Sequence, residues 1–263
     1  MLSIISITLK GIFRDRIFQG IMILAVMFLF IPTVASLSMR QVTELSVLLS
    51  LSLISFIQLM LAVFLGGTLV WRDIERRYAF SVLSLPLSRT TYLFGRFIGI
   101  ALFLLLTATI LGAVALLVIK ASAGLYPPDR PLAWLTIVLS IFMDTLRQIF
   151  LVAVAIALST VSTSFFLPIF GTISTLLAGN LIQQVHEYLQ SAAASDTLPL
   201  VKNAGNFLYY VFPNLSAFDI KVNAIYSLPI NTQGIVLTLL YCTAYSAFLL
   251  GGAALLFNRR EMK

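Results

Sequence analysis

Charge is what this chain has least of. Only 10% of its 263 residues are Asp, Glu, Lys or Arg, while 60% are hydrophobic, and the mean hydropathy is +1.02. Water-soluble domains carry about 25% charged residues, so a soluble fold is excluded. Cysteine and histidine are nearly absent. The single Cys242 lies in an apolar run, which excludes a disulfide framework and a cysteine metal site within one chain. The single His186 excludes a multi-histidine metal site. No Gly-x-x-x-x-Gly-Lys-Ser/Thr segment occurs, so the chain cannot hydrolyse ATP in the P-loop manner. A zinc intramembrane protease would need His-Glu-x-x-His, which is missing. An aspartyl one would need two opposed membrane aspartates, and only Asp144 falls inside an apolar span. Ser159, Ser162 and Ser164 have no His or Lys nearby in sequence. No enzymatic activity is expected. A cleavable signal peptide is not expected either: the charges of residues 1–16 come late, and no small-residue cleavage site follows a short apolar core.

What the chain does have is long apolar runs. One membrane-spanning helix needs about 20 residues, and the length allows six. Spans are expected at about 17–37, 45–70, 97–119, 144–161, 165–183 and 234–257. The expected fold is an all-α integral membrane protein forming one transmembrane domain over 1–263. Residues 2–16 precede the first span. Ile5, Leu9, Ile12 and Phe13 can share one face there, with Lys10, Arg14 and Arg16 towards headgroups. This fits an interfacial helix on the cytoplasmic leaflet. Gly66-Gly67 and Gly95-x-x-x-Gly99 are places where helices can approach closely. Three prolines within 127–131 exclude a helix interior. The apolar run 132–161 is too long for one straight span. It is expected to divide into a shallow helix to about Met143 and a span beyond it, the alternative being one long tilted helix. The region 186–233 is an outer loop. Its apolar part, 207–218, is too short to span, so an interfacial or re-entrant helix is expected there.

Basic residues set the orientation. With the N-terminus inside, eleven Lys and Arg fall in the cytoplasm and five outside (Arg40, Lys120, Arg130, Lys202, Lys221). This obeys the positive-inside rule and places both termini in the cytoplasm. It also accounts for the net charge of +7 without a nucleic-acid partner.

The stretch 71–96 stands apart. It holds Arg72, Asp73, Glu75, Arg76, Arg77, Arg89 and Arg96 between two apolar runs. Ionised side chains in hydrocarbon cost several kcal/mol each, so this segment must meet water or headgroups. Ile74, Tyr78, Val82 and Leu85 recur every three to four residues, which predicts an amphipathic helix. Pro86 should stop it, and Ser88 can cap the next helix.

An acidic residue in a basic cluster, an amphipathic run, and Leu-Pro-Leu-Ser-Arg (85–89) followed by Tyr92 and Gly95-Arg96 resemble the first cytoplasmic loop of ABC-2 type transporter permeases. Tyr209-Tyr210-x-x-Pro213-Asn214-x-x-x-Phe218 looks like the segment before the last span in the copper-enzyme-maturation and multidrug-type exporters of that group. The resemblance implies a cytoplasmic-membrane permease subunit. Two such subunits, identical or related, would sit on two copies of a P-loop ATP-binding subunit. They would move a lipid-like, drug-like or other amphipathic substrate outward. ATP and Mg would be bound by the partner, and no cofactor by this chain. The loop would be the coupling helix, with Glu75, Arg76, Arg77, Pro86 and Arg89 transmitting the partner's motion. Copper is not implied here, because no cluster of Cys, Met or His has metal-ligand spacing. A secondary transporter and a non-transporting membrane assembly factor are the alternatives.

Asp144 and Arg147 are the sharpest charged feature inside a span. At i, i+3 they share a helix face and can pair. One reading makes them a translocation or gating contact. The other makes them a structural pair near the outer headgroups. Tyr209, Tyr210, Phe212 and Phe218 read as an interfacial aromatic belt.

Overall fold

A computed structural model describes residues 2–14, 19–20, 23, 30–36, 41–75, 88–128, 130–191 and 198–259. The described residues form α1 (Leu2–Phe13), α2 (Ile31–Ser36), α3 (Val42–Glu75), α4 (Arg89–Leu125), α5 (Trp134–Val161), α6 (Phe166–Gln190), α7 (Pro199–Val211), a 3₁₀ turn (Ser216–Phe218), α8 (Lys221–Tyr226) and α9 (Thr232–Arg259). No strand occurs among them. In hydrocarbon every backbone N–H and C=O must be satisfied within the chain, and a helix does this locally. Among the described residues α3, α4, α5, α6 and α9 are long and apolar enough to cross a membrane. The expected first span, 17–37, lies mostly outside the described residues, as do Arg76, Arg77 and Pro86 and most of the expected amphipathic run 74–85.

The helices outrun their apolar cores. At 1.5 Å per residue, α4 with its 37 residues is about 55 Å long, against roughly 30 Å of hydrocarbon. The expected span 97–119 lies within this helix, which continues beyond it at both ends. The helix starts at Arg89 because Ser88 caps it: the Thr91 backbone N–H donates to Ser88 Oγ at 3.2 Å. It ends at Leu125, just before Pro127 and Pro128. The division of 132–161 into two helices is not found. One helix runs Trp134–Val161. No glycine or proline interrupts this stretch, and its two charges pair along the helix.

Helix α5 is the centre of the bundle and packs against α3, α4, α6, α8 and α9. Within its most apolar window 78% of residues are buried, against 17% in α9, so α9 is peripheral. Glycines set the close approaches. A Cβ on Gly66 would lie 2.9 Å from Ala155 Cβ, so α3 and α5 touch nearly backbone to backbone. Ser159 Oγ donates to Gly67 O at 3.1 Å at the same crossing. Helix α4 runs antiparallel to α3. Asp73 meets Tyr92 and Arg96 at one end, called here the loop end, and Ser46 lies 3.1 Å from Ser122 towards the other, the far end.

Helix α1 packs on α4. Its buried row is Ile4, Thr8 and Ile12, while Phe13 stays exposed with its ring edge-on to Phe103. The reason is Gly95-x-x-x-Gly99. A Cβ at either position would fall 2.9 Å from Ile4 or 2.8 Å from Thr8. Those two glycines select which side of α1 docks.

Candidate functional site

The loop end gathers four helices around a few polar side chains. The last turns of α3 bring Asp73, and the first turns of α4 bring Tyr92 and Arg96, four residues apart. Asp73 Oδ2 accepts from both the Tyr92 hydroxyl and Arg96 Nη2. Arg96 Nη1 donates to Thr8 Oγ1 of α1 at 3.2 Å. That hydroxyl donates in turn to Ile4 O at 2.8 Å, so it accepts from Arg96 and donates within its own helix. The Arg96–Asp73 side chains are only 9% and 15% exposed, which makes this a nearly buried ion pair. The Tyr92 ring stacks on Phe257 of α9 at 6.3 Å.

Arg89 completes the junction. Its Nη1 donates to Phe257 O at 3.0 Å and Asn258 O at 3.2 Å. The last carbonyls of a helix have no partner within it, and a guanidinium suits the negative end of the helix dipole. The expected coupling residue thus holds the end of α9. Glu75 is the last residue of α3 and is exposed. Arg76, Arg77 and Pro86 lie outside the described residues. The segment 76–87 therefore leaves from and returns to a junction fixed by Asp73, Arg89, Tyr92 and Arg96.

Sequence reasoning counted Asp73 and Arg96 as loop charges and missed their pairing. The signal was present: Arg96 sits beside Phe97-Ile98-Gly99-Ile100, where an unpaired cation is costly.

Asp144 and Arg147 do pair, Nη2 to Oδ1 at 2.6 Å, with side chains 6% and 9% exposed. Asp144 lies ten residues into α5, about 15 Å along it. The same face carries Ser140 and Gln148. Asp144 Oδ2, Arg147 Nε, Ser140 Oγ and both amide atoms of Gln148 are buried without a partner among the described residues. On α3, Gln58 Nε2 donates to Leu104 O at 3.0 Å and to Thr107 Oγ1 at 3.3 Å. The interior thus holds polar groups with unused hydrogen-bonding capacity.

At the far end the Tyr209–Phe218 segment works as an anchor. Leu215 N donates to Gly179 O at 2.9 Å, and a Cβ on Gly179 would strike Pro213 O at 2.7 Å. Phe218 is 1% exposed and packs in the core, so it is not part of an aromatic belt. Tyr210 is exposed, and Tyr209 stacks on His186 at 3.9 Å. Tyr209, Tyr210, Phe212, Asn214, Tyr241 and Tyr245 line a cavity of about 340 Å³. Two of these hydroxyls are engaged: Tyr241 OH accepts from Asn214 N at 3.0 Å, and Tyr245 OH donates to Val211 O at 3.0 Å. Among the described residues no group of three or more His, Cys, Asp or Glu is placed to hold a metal ion.

No protein-family model and no curated protein matches this chain. Its fold defines its class: an all-helical protein with several helices of membrane-crossing length, the pattern of a multi-pass membrane protein.

Proposed function

We propose that this chain is the membrane subunit of an ATP-driven exporter of the ABC-2 type. It would move an amphipathic substrate outward, using ATP hydrolysed by a separate P-loop subunit. One observation carries the reading. The residues flanking 76–87 in sequence belong to one junction, where the Asp73–Tyr92–Arg96 cluster and Arg89 link α1, α3, α4 and α9. A push on such a segment reaches four helices at once, which is what a coupling element requires. Exposed Glu75 at the edge of the junction supplies a charge for the partner. On this reading both termini and the loop end face the cytoplasm, six spans complete each subunit, and two subunits make the transporter. Glu75, Arg76, Arg77 and Pro86 contact the ATPase, while Arg89 holds the junction. The polar band around Asp144 and Arg147 faces the translocation route.

The test is purification from the native membrane under mild conditions. A soluble subunit with a phosphate-binding loop is expected to copurify, to hydrolyse ATP, and to cross-link to a photoreactive residue placed at Glu75. ATP hydrolysis by the isolated chain would refute the proposal. So would a native complex without any nucleotide-binding subunit.

A further inference from the structure

An apolar groove of about 310 Å³ runs between α4 and α5. One wall is Leu105, Gly112, Ala113 and Leu116, and the other includes Val138 and Phe142. Two threonines border it, and both turn their hydroxyls away. Thr109 Oγ1 donates to Leu106 O at 2.7 Å, and Thr145 Oγ1 to Ile141 O at 2.7 Å. The groove therefore shows methyl and methylene surface. Along α4 it extends from Leu105 to Leu116, about 16 Å at the helical rise.

Its far end is not apolar. Lys120 follows Leu116 by one turn on the same face of α4 and is exposed. No described residue pairs with it. Lys120 lies one turn past Leu116, the last residue of α4 that lines the groove, and a helical side chain leans over the turn N-terminal to its own Cα, which gives the ammonium reach back to that end. On α5, Trp134 precedes Val138 by one turn and is 41% exposed. The two helices are antiparallel, with Gly112 beside Ile141. Counting outward from that contact brings Lys120 and Trp134 to the same height. A tryptophan and a lysine at one level are the side chains that mark a membrane–water boundary.

We propose that this groove is a phospholipid site, with one acyl chain lying between α4 and α5 and the lipid phosphate on Lys120. The volume is about twice that of an apolar protein cavity of roughly 150 Å³ that takes up benzene. It is too small for a helix of a second copy. A helix about 10 Å across, laid along the same length, displaces on the order of 1,000 Å³. An ammonium without a partner among the described residues, one turn beyond the end of an apolar slot, matches a lipid, which has its phosphate at the end of its chains. The assignment stands whether or not the chain belongs to an ATP-driven exporter.

The experiment uses the full chain in nanodiscs of phosphatidylcholine and phosphatidylglycerol at about three to one. A trace of phosphatidylglycerol carries a photoreactive diazirine on its acyl chain. Labelled peptides are expected to concentrate on 105–116 and 138–142, at least fivefold over the exposed face of α9 around Phe248. Ala113 is exposed, so Ala113→Trp fills the slot without burying a new residue, and should reduce that labelling at least fivefold. Lys120→Glu should reduce it at least threefold. Circular dichroism and a monodisperse elution profile establish that each variant is folded. Even labelling of all exposed faces would overturn the proposal, as would undiminished labelling of folded Ala113→Trp or Lys120→Glu. A Thr109→Cys variant on a Cys242→Ala background that oxidises to a dimer in the same nanodiscs would assign the groove to a second copy and overturn it too.

Discussion

Removing the Arg96 guanidinium tests the junction most directly. Arg96→Met keeps an unbranched apolar stem and deletes the charge. It leaves Asp73 nearly buried, with only the Tyr92 hydroxyl on its Oδ2. Breaking a buried ion pair from one side costs about 3–5 kcal/mol, whereas an exposed pair contributes about 0–1 kcal/mol. With side chains only 9% and 15% exposed, the buried figure applies. The contact to Thr8 is a smaller matter. Hydrogen bonds between membrane helices average about 0.6 kcal/mol in double-mutant cycles, so Thr8→Val should cost about that much. Replacing both ionic partners, Asp73→Leu with Arg96→Met, leaves no orphaned charge and should cost less than Arg96→Met alone. The assay is reversible unfolding of the chain in mixed micelles, followed by the four variants of the cycle. A loss under 1 kcal/mol in Arg96→Met would refute the reasoning, as would additive losses in the pair.

If the proposed function holds, Glu75→Lys weakens docking of an ATP-binding subunit while leaving unfolding of the chain within about 0.5 kcal/mol of wild type, since the side chain is exposed; copurification and a melting curve read the two effects. Gly99→Val drives a side chain into Thr8, only 2.8 Å from where its Cβ would stand, and should cost about 1–3 kcal/mol by overpacking. A disulfide engineered between α1 and α4 should then form more slowly than in the parent. Cysteines at Lys202 and Arg76, after Cys242→Ala, should react with an impermeant thiol reagent from opposite sides of the membrane, and reaction from one side would overturn the orientation.

Hydropathy revealed the long helices because burial in lipid requires nearly continuous apolar sequence. It failed at their ends, where other forces act. The apolar run begins only at about Phe97, but Ser88, legible in the sequence as a cap, starts α4 two turns earlier, so Arg89 and Arg96 are helical. It failed again over 132–161, which reads as too long for one straight span, although the expected pairing of Asp144 with Arg147 at i, i+3 lets one helix continue through both charges. The junction was hidden for a different reason. Asp73 and Arg96 are 23 residues apart and Thr8 is 88 from Arg96, so only the packing of α1, α3 and α4 shows them to be neighbours. The Gly95–Gly99 pair was visible, but nothing in its spacing named α1 as the element it receives.

The link from Arg89 to the carbonyls of Phe257 and Asn258 crosses 168 and 169 residues of sequence. During synthesis the donor therefore emerges long before its acceptors. At about 5–20 residues per second, the interval is roughly 8–35 s. Through that time α1, α3 and α4 can assemble by themselves, but the closing contact cannot be made. A nascent chain halted before residue 257 carries every residue of the three-helix cluster but lacks the acceptors of this last clasp. The clasp thus marks the addition of α9 to a cluster whose other helices are already present.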